Sequence, residues 1–99
     1  MRETGIRPAV LSEIRGYAEK YGVERVLLFG SRARGDYKKT SDIDLAFTGG
    51  GRNKARFILD VDEETSTLLF FDIVDLDGPV SEELRESIDR EGVVIYEKV

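Results

Sequence analysis

The chain has 99 residues and a net charge of −5, with 40% hydrophobic and 35% charged residues. This length fits one domain with its own core, and we expect residues 1–99 to form it. The sequence contains neither cysteine nor histidine, which excludes disulfides, thiol nucleophiles, Cys-based zinc sites and a histidine general base. The negative charge argues against broad nucleic-acid binding. Because no apolar run suits a membrane span or a signal peptide, the expected location is the cytoplasm.

Apolar spacing predicts an alternation of helices and strands. Spacings of three and four residues indicate helices, and continuous apolar runs indicate buried strands. The predicted elements are a helix over residues 8–21, a strand over 23–29, a loop over 30–41, a strand over 42–48, a helix over 52–66, a strand over 68–74, a helix over 82–91 and a strand over 93–96. This order, αβ(turn)βαβαβ, predicts one α/β domain in which helices cover a mixed sheet.

Single residues mark several of these boundaries. Ser31 is predicted to cap a short helical turn that Gly35 ends, and Ser81 to cap the last helix. The three glycines 49–51 are interpreted as a flexible turn, because no Gly-Lys-Ser/Thr phosphate loop surrounds them.

Two aspartates open the second strand. Residues two apart in a strand point to the same face, about 6.5–7 Å apart, so Asp42 and Asp44 should stand side by side while Ile43 packs inward. Paired carboxylates suit hard divalent cations. The Gly30-Ser31 turn just upstream suits a phosphate, because bare backbone N–H groups can approach it closely.

The spacing of Gly30-Ser31, ten residues and Asp42-x-Asp44 resembles the signature of the DNA polymerase β-like nucleotidyltransferases. The short chain and the run from Gly30 to Gly35 resemble the minimal nucleotidyltransferases (MNT), whose characteristic setting is a toxin–antitoxin pair with a HEPN-domain protein. The resemblance implies a single-domain polymerase β-like fold. It also implies transfer of AMP from ATP to a hydroxyl, with a tyrosine of the cognate HEPN toxin as the acceptor (AMPylation).

Asp72 interrupts the apolar third strand. A carboxylate there is costly unless it is paired, bound to metal or placed at a solvent-facing edge. In the family that the chain resembles, the third acidic residue lies on such a strand, so Asp72 is preferred over Asp75, which should face solvent or cap a turn. Three converging carboxylates repel one another by about 4 kcal/mol per close pair. One or two Mg²⁺ ions, or Mn²⁺ in their place, would relieve that repulsion.

The expected roles follow from position. Asp42 and Asp44 would bridge the metals, and Asp72, the third metal ligand, would hold the metal that activates the acceptor hydroxyl and would accept the proton of that hydroxyl. The residues expected to bind the nucleotide triphosphate are Gly30, Ser31, Arg32 and Arg34. Forked guanidinium groups suit the charge on the leaving pyrophosphate. Arg34 is favoured for this contact, and a solvated loop position is the alternative for Arg32.

Two functions of different class stay open. The first is an enzyme that transfers AMP, and the second is a catalytically weak antitoxin that neutralises its partner by contact alone. The complete set of acidic residues favours the enzyme. A small-molecule transferase, such as an antibiotic adenylyltransferase, would need a second domain for its acceptor, for which 99 residues leave no room. The sequence leaves homo-oligomerisation open.

Overall fold

A computed structural model describes residues 3–99 of the protein. Its elements are α1 (Pro8–Lys20), β1 (Val23–Phe29), α2 (Ser31–Arg34), β2 (Ile43–Gly49), a short 3₁₀ helix (Gly51–Asn53), α3 (Lys54–Glu64), β3 (Phe71–Asp75), α4 (Glu82–Glu91) and β4 (Val93–Glu97). This succession confirms the predicted alternation of helices and strands. Within residues 3–99, no helix has the length and apolar character needed to cross a membrane.

The strands form one mixed sheet in the order β3-β2-β1-β4. β1 is antiparallel to both of its neighbours, β2 and β4, whereas β2 and β3 run parallel. Parallel neighbours need a long crossover connection, and α3 supplies it. The mixed sheet with covering helices confirms the predicted fold class, and β3 is left as an edge strand.

Both faces of the sheet are apolar, and different helices cover them: α1 and α3 lie on one face and α4 lies on the other. On one face, α1 and α3 pack over the main core, whose buried strand residues include Val26, Leu28, Ile43, Leu45 and Phe47. On the other face, Phe29 and Ala46 form a smaller buried cluster with Ile88 of α4. Two covered faces explain the continuously apolar end of β1. The cluster of buried residues on the α4 face is the smaller of the two.

The third strand is shorter than the sequence predicts. β3 begins at Phe71, and the side chains of Leu68 and Phe70 in the preceding connection are 100% and 77% exposed. The Phe70 carbonyl still accepts a hydrogen bond from the Ile43 N–H at 2.9 Å, which aligns the connection with β2. The predicted start at Leu68 was wrong, because an apolar run does not reveal whether anything covers it.

The capping predictions differ in outcome. The Ser81 hydroxyl accepts a hydrogen bond from the Leu84 N–H at 3.2 Å and caps α4 as predicted. Gly35 ends α2 with φ of 94°, also as predicted. Ser31 is not a cap, because Gly30 occupies the N-cap position and Ser31 is the first helical residue. Gly30 holds the N-cap position with φ of 74°, a conformation that favours glycine over serine.

Candidate active site

The strand register places Gly30, Asp44 and Asp72 in a row. Phe29, the last residue of β1, pairs with Asp44, and Asp44 of β2 pairs with Asp72 of β3. Gly30 follows Phe29 and adopts φ of 74°, a conformation that favours glycine. A β-carbon at Gly30 would overlap with Asp44 Oδ2. The Gly30-Ser31 turn, which was predicted to bind phosphate, therefore lies next to the acidic strand residues on the α4 face of the sheet.

The carboxyl group of Asp44 is electrostatically disfavoured in its charged form. Burial raises the pKa of Asp44 to about 6, and the negative charges of Asp72 and Asp42 contribute to the rise. Asp44 is half-buried, whereas Asp72 on the edge strand and Asp42, one residue before β2, are exposed. The site thus has one sheltered carboxylate and two that solvent can reach.

The carboxylate oxygens of Asp42, Asp44 and Asp72 are the type of ligand that a hard cation such as Mg²⁺ prefers. Among residues 3–99, no three acidic side chains are grouped closely enough to hold a metal ion between them. Mg²⁺, however, is commonly held by one or two carboxylates together with substrate phosphates. Asp44 and Asp72, adjacent in register and mutually repelling, could provide that carboxylate pair. A cation would relieve the repulsion that, second to burial, raises the pKa of Asp44.

The hydrogen-bond donors at the Gly30 turn are already paired with a carboxylate of the protein itself. Glu91, the last residue of α4, accepts a hydrogen bond from the Gly30 N–H at 3.2 Å. It also accepts two from Arg34 Nη1, at 3.2 and 3.1 Å. Arg34 pairs in addition with Asp36 at 3.2 Å, and these hydrogen bonds, that to Asp36 first, raise the pKa of the Arg34 guanidinium. Two of the four residues predicted to bind the triphosphate, Gly30 and Arg34, therefore already donate to a carboxylate of the protein itself.

Sequence reasoning missed Glu91. It lies 61 residues from Gly30 and 57 from Arg34, so no local pattern connects them. One signal was available, because an acidic residue in the last turn of a helix opposes the helix dipole and needs a partner elsewhere.

The alternative considered for Arg32, a solvated loop position, was wrong. Its side chain is buried, with 1% exposed, and its guanidinium lies 4.9 Å from the centre of the Tyr37 ring. The guanidinium donates to four backbone carbonyl oxygens at 2.9–3.4 Å, those of Thr4, Lys38, Lys39 and Ser41. These contacts offset the cost of burying the charge. A guanidinium engaged in this way stabilises the loop before Asp42, and its contact with a triphosphate stays a prediction.

Asp75 is separated from the acidic row. It accepts hydrogen bonds from Lys54 Nζ at 3.1 Å and from the Asp77 N–H at 3.0 Å. Asp75 therefore caps the turn after β3, as predicted, and alternation along the strand points it away from Asp72. Ser31 is half-buried beside Gly30, and its contact with a triphosphate stays a prediction.

Comparison with known proteins supports the same fold. Residues 12–99 match the profile of the family described as Polymerase beta, Nucleotidyltransferase. A crystal structure of a toxin–antitoxin with AMP-PNP has a TM-score of 0.71 and 20% identity, covering 89% of this chain and 73% of that chain. A structure of tri-AMPylated Shewanella oneidensis HEPN toxin in complex with MNT antitoxin has a TM-score of 0.63 and 17% identity, covering 90% and 71%. A putative nucleotidyltransferase from Sulfolobus solfataricus has a TM-score of 0.52 and 26% identity, covering 97% and 86%. No curated protein sequence matches the chain.

The family match spans the Gly30-Ser31 turn, both strands that carry acidic site residues and all of α4. The chain therefore belongs to the polymerase β nucleotidyltransferase family.

Proposed function

We propose that the protein is a metal-dependent enzyme that transfers AMP from ATP to a tyrosine hydroxyl of a HEPN toxin. The observation that carries this proposal is the placement of Asp44 and Asp72, in register on neighbouring strands, beside Gly30. Two structures with the same fold support it: one is a toxin–antitoxin with AMP-PNP, and the other contains a tri-AMPylated HEPN toxin with its MNT antitoxin.

The proposed reaction is an in-line displacement at the α-phosphorus of ATP. The acceptor oxygen forms the new bond to phosphorus, the bond to the bridging oxygen breaks, and pyrophosphate leaves. Bound Mg²⁺ would supply positive charge for the attacking and leaving oxygens. Asp44 and Asp72, adjacent in register, would hold the metal together with Asp42. Asp72 would orient the acceptor hydroxyl and accept its proton, which then passes to solvent.

The position of β3 at the edge of the sheet suits the different roles proposed for Asp44 and Asp72. Asp72 is exposed on an edge strand, so a hydroxyl carried by another protein can approach it from the open side of the sheet. Asp44 is half-buried between Gly30 and Asp72, where it cannot be reached as easily. The leaving pyrophosphate would contact the Gly30 N–H, the Ser31 hydroxyl and Arg34.

A binding module that neutralises its partner by contact alone is the second candidate. Two observations favour it: the Glu91 carboxylate occupies the donors meant for phosphate, and residues 3–99 contain no preassembled group of three carboxylates. Both would also be found in an enzyme whose metal arrives with its nucleotide.

The test is co-expression with a HEPN-domain protein, followed by mass spectrometry of the partner for AMP on tyrosine. We expect the wild type and Asp62→Asn, an exposed position on α3, to modify the partner. The double variant Asp42→Asn/Asp44→Asn should fold and transfer nothing. If the wild type modifies neither the partner nor itself, and the double variant still neutralises the partner, the protein is a binding module.

A further inference from the structure

Glu91 occupies the place where the proposed pyrophosphate would bind. Its carboxylate accepts hydrogen bonds from the Gly30 N–H and from Arg34, which are two of the three groups assigned above to the leaving phosphates. We propose that Glu91 is a specificity-determining residue: an internal competitor that polyphosphate must displace on binding, and that helps to expel pyrophosphate after transfer. This inference rests on the proposed function and adds a residue to it.

The position of Glu91 makes displacement feasible. It lies in the last turn of α4, where the negative end of the helix dipole disfavours a carboxylate. Its present orientation therefore depends on its contacts with Gly30 and Arg34. The side chain is 17% exposed, so it lies near the surface and can rotate outward without crossing the core.

The two anions cannot use the same donors at once. The Gly30 backbone offers a single N–H, and a phosphate oxygen close enough to accept from it would lie against the Glu91 carboxylate. Like charges at that distance repel each other strongly. Every ligand that enters this subsite must displace Glu91, and the free energy of that displacement weakens its binding. A ligand that leaves the subsite empty binds without this loss of affinity.

This arrangement discriminates among phosphate ligands. ATP brings a metal ion and several phosphate oxygens, which can compensate for the lost contacts of Glu91. Pyrophosphate alone must overcome the same cost of moving Glu91 but has lost the nucleoside contacts that help to offset this cost, so it dissociates more readily. AMP lacks the β- and γ-phosphates, so its affinity should not depend on Glu91.

The experiment measures the affinities of Mg²⁺-ATP, Mg²⁺-pyrophosphate and AMP by calorimetry. The proteins are the wild type, Glu91→Gln and the control Glu86→Gln, which alters an exposed residue of the same helix. Glutamine keeps the shape of Glu91 but removes the charge. We expect Glu91→Gln to bind ATP and pyrophosphate about tenfold more tightly, which corresponds to about 1.4 kcal/mol. AMP binding and the control should be unchanged.

The outcomes separate this inference from the proposed function. If the wild type binds Mg²⁺-ATP and Glu91→Gln binds it equally or more weakly, the inference is overturned and Glu91 merely positions Arg34. If neither protein binds ATP or pyrophosphate, the proposed function fails, and the inference fails with it. A measurement on the wild type avoids any folding defect of the variant. The carboxyl ¹³C resonance of Glu91 should shift when Mg²⁺-pyrophosphate is added, and an unmoved resonance at saturation would overturn the inference.

Discussion

Asp44→Asn should stabilise the metal-free protein at neutral pH. Burial, with the charges of Asp72 and Asp42, raises the pKa of Asp44 from 3.8 to about 6. Between these two values the folded state binds more protons at Asp44 than the unfolded state does, so its contribution to stability falls as the pH rises. Above pH 6 the full penalty applies. At about 1.4 kcal/mol per pH unit the penalty approaches ~3 kcal/mol, and solvent screening of the half-buried group reduces it toward ~1 kcal/mol.

The assay is urea unfolding of the wild type, Asp44→Asn and the exposed control Asp62→Asn in EDTA, from pH 4 to pH 8. Because the other acidic groups are common to the proteins, the difference between two unfolding free energies isolates the substituted position. We expect Asp44→Asn to exceed the wild type by about 1–3 kcal/mol at pH 8 and the gap to shrink toward pH 4. A gap that does not change with pH, or a variant less stable than the wild type at pH 8, would refute the reasoning.

Three further predictions concern the metal, the two arginines and the exposed connection before β3. Calorimetry should show much tighter ATP binding with Mg²⁺ than without it, because the carboxylates and the phosphates share the ion; equal affinity would argue against a metal-bridged site. Arg32→Ala should cost about 2–4 kcal/mol in urea unfolding, since it leaves buried carbonyls unpaired, whereas Arg34→Ala should cost much less stability and weaken ATP binding. A reversed ranking of the two stabilities would contradict the assignment. Phe70→Ser should change stability by less than about 0.5 kcal/mol because the ring is exposed. A loss of several kcal/mol would show that Phe70 packs in the core.

Features with a local cause were predictable. The apolar run ending at Phe29, the Ser81 cap and the break at Gly35 depend on neighbours within a few residues, and all three are confirmed. The alternation rule predicted that Asp42 and Asp44 share a face, but it could not supply the pairing of Asp44 with Asp72. That pairing depends on the register of a parallel crossover.

Features with a distant cause were not predictable. Arg32 and Arg34 lie two residues apart in one polar loop, and the sequence offered no reason to bury either. Arg32 is buried because carbonyls from the N-terminal segment and from the end of its own loop converge on it. Arg34 meets Glu91 only because α4 returns to the end of β1.

The bond from Arg32 to the Thr4 carbonyl, at 2.9 Å, also has a practical consequence for protein engineering. The segment around Thr4 buttresses the loop that leads into Asp42, although it lies outside the row of acidic residues. Trimming the chain past Thr4 would therefore loosen the approach to the site without touching a site residue.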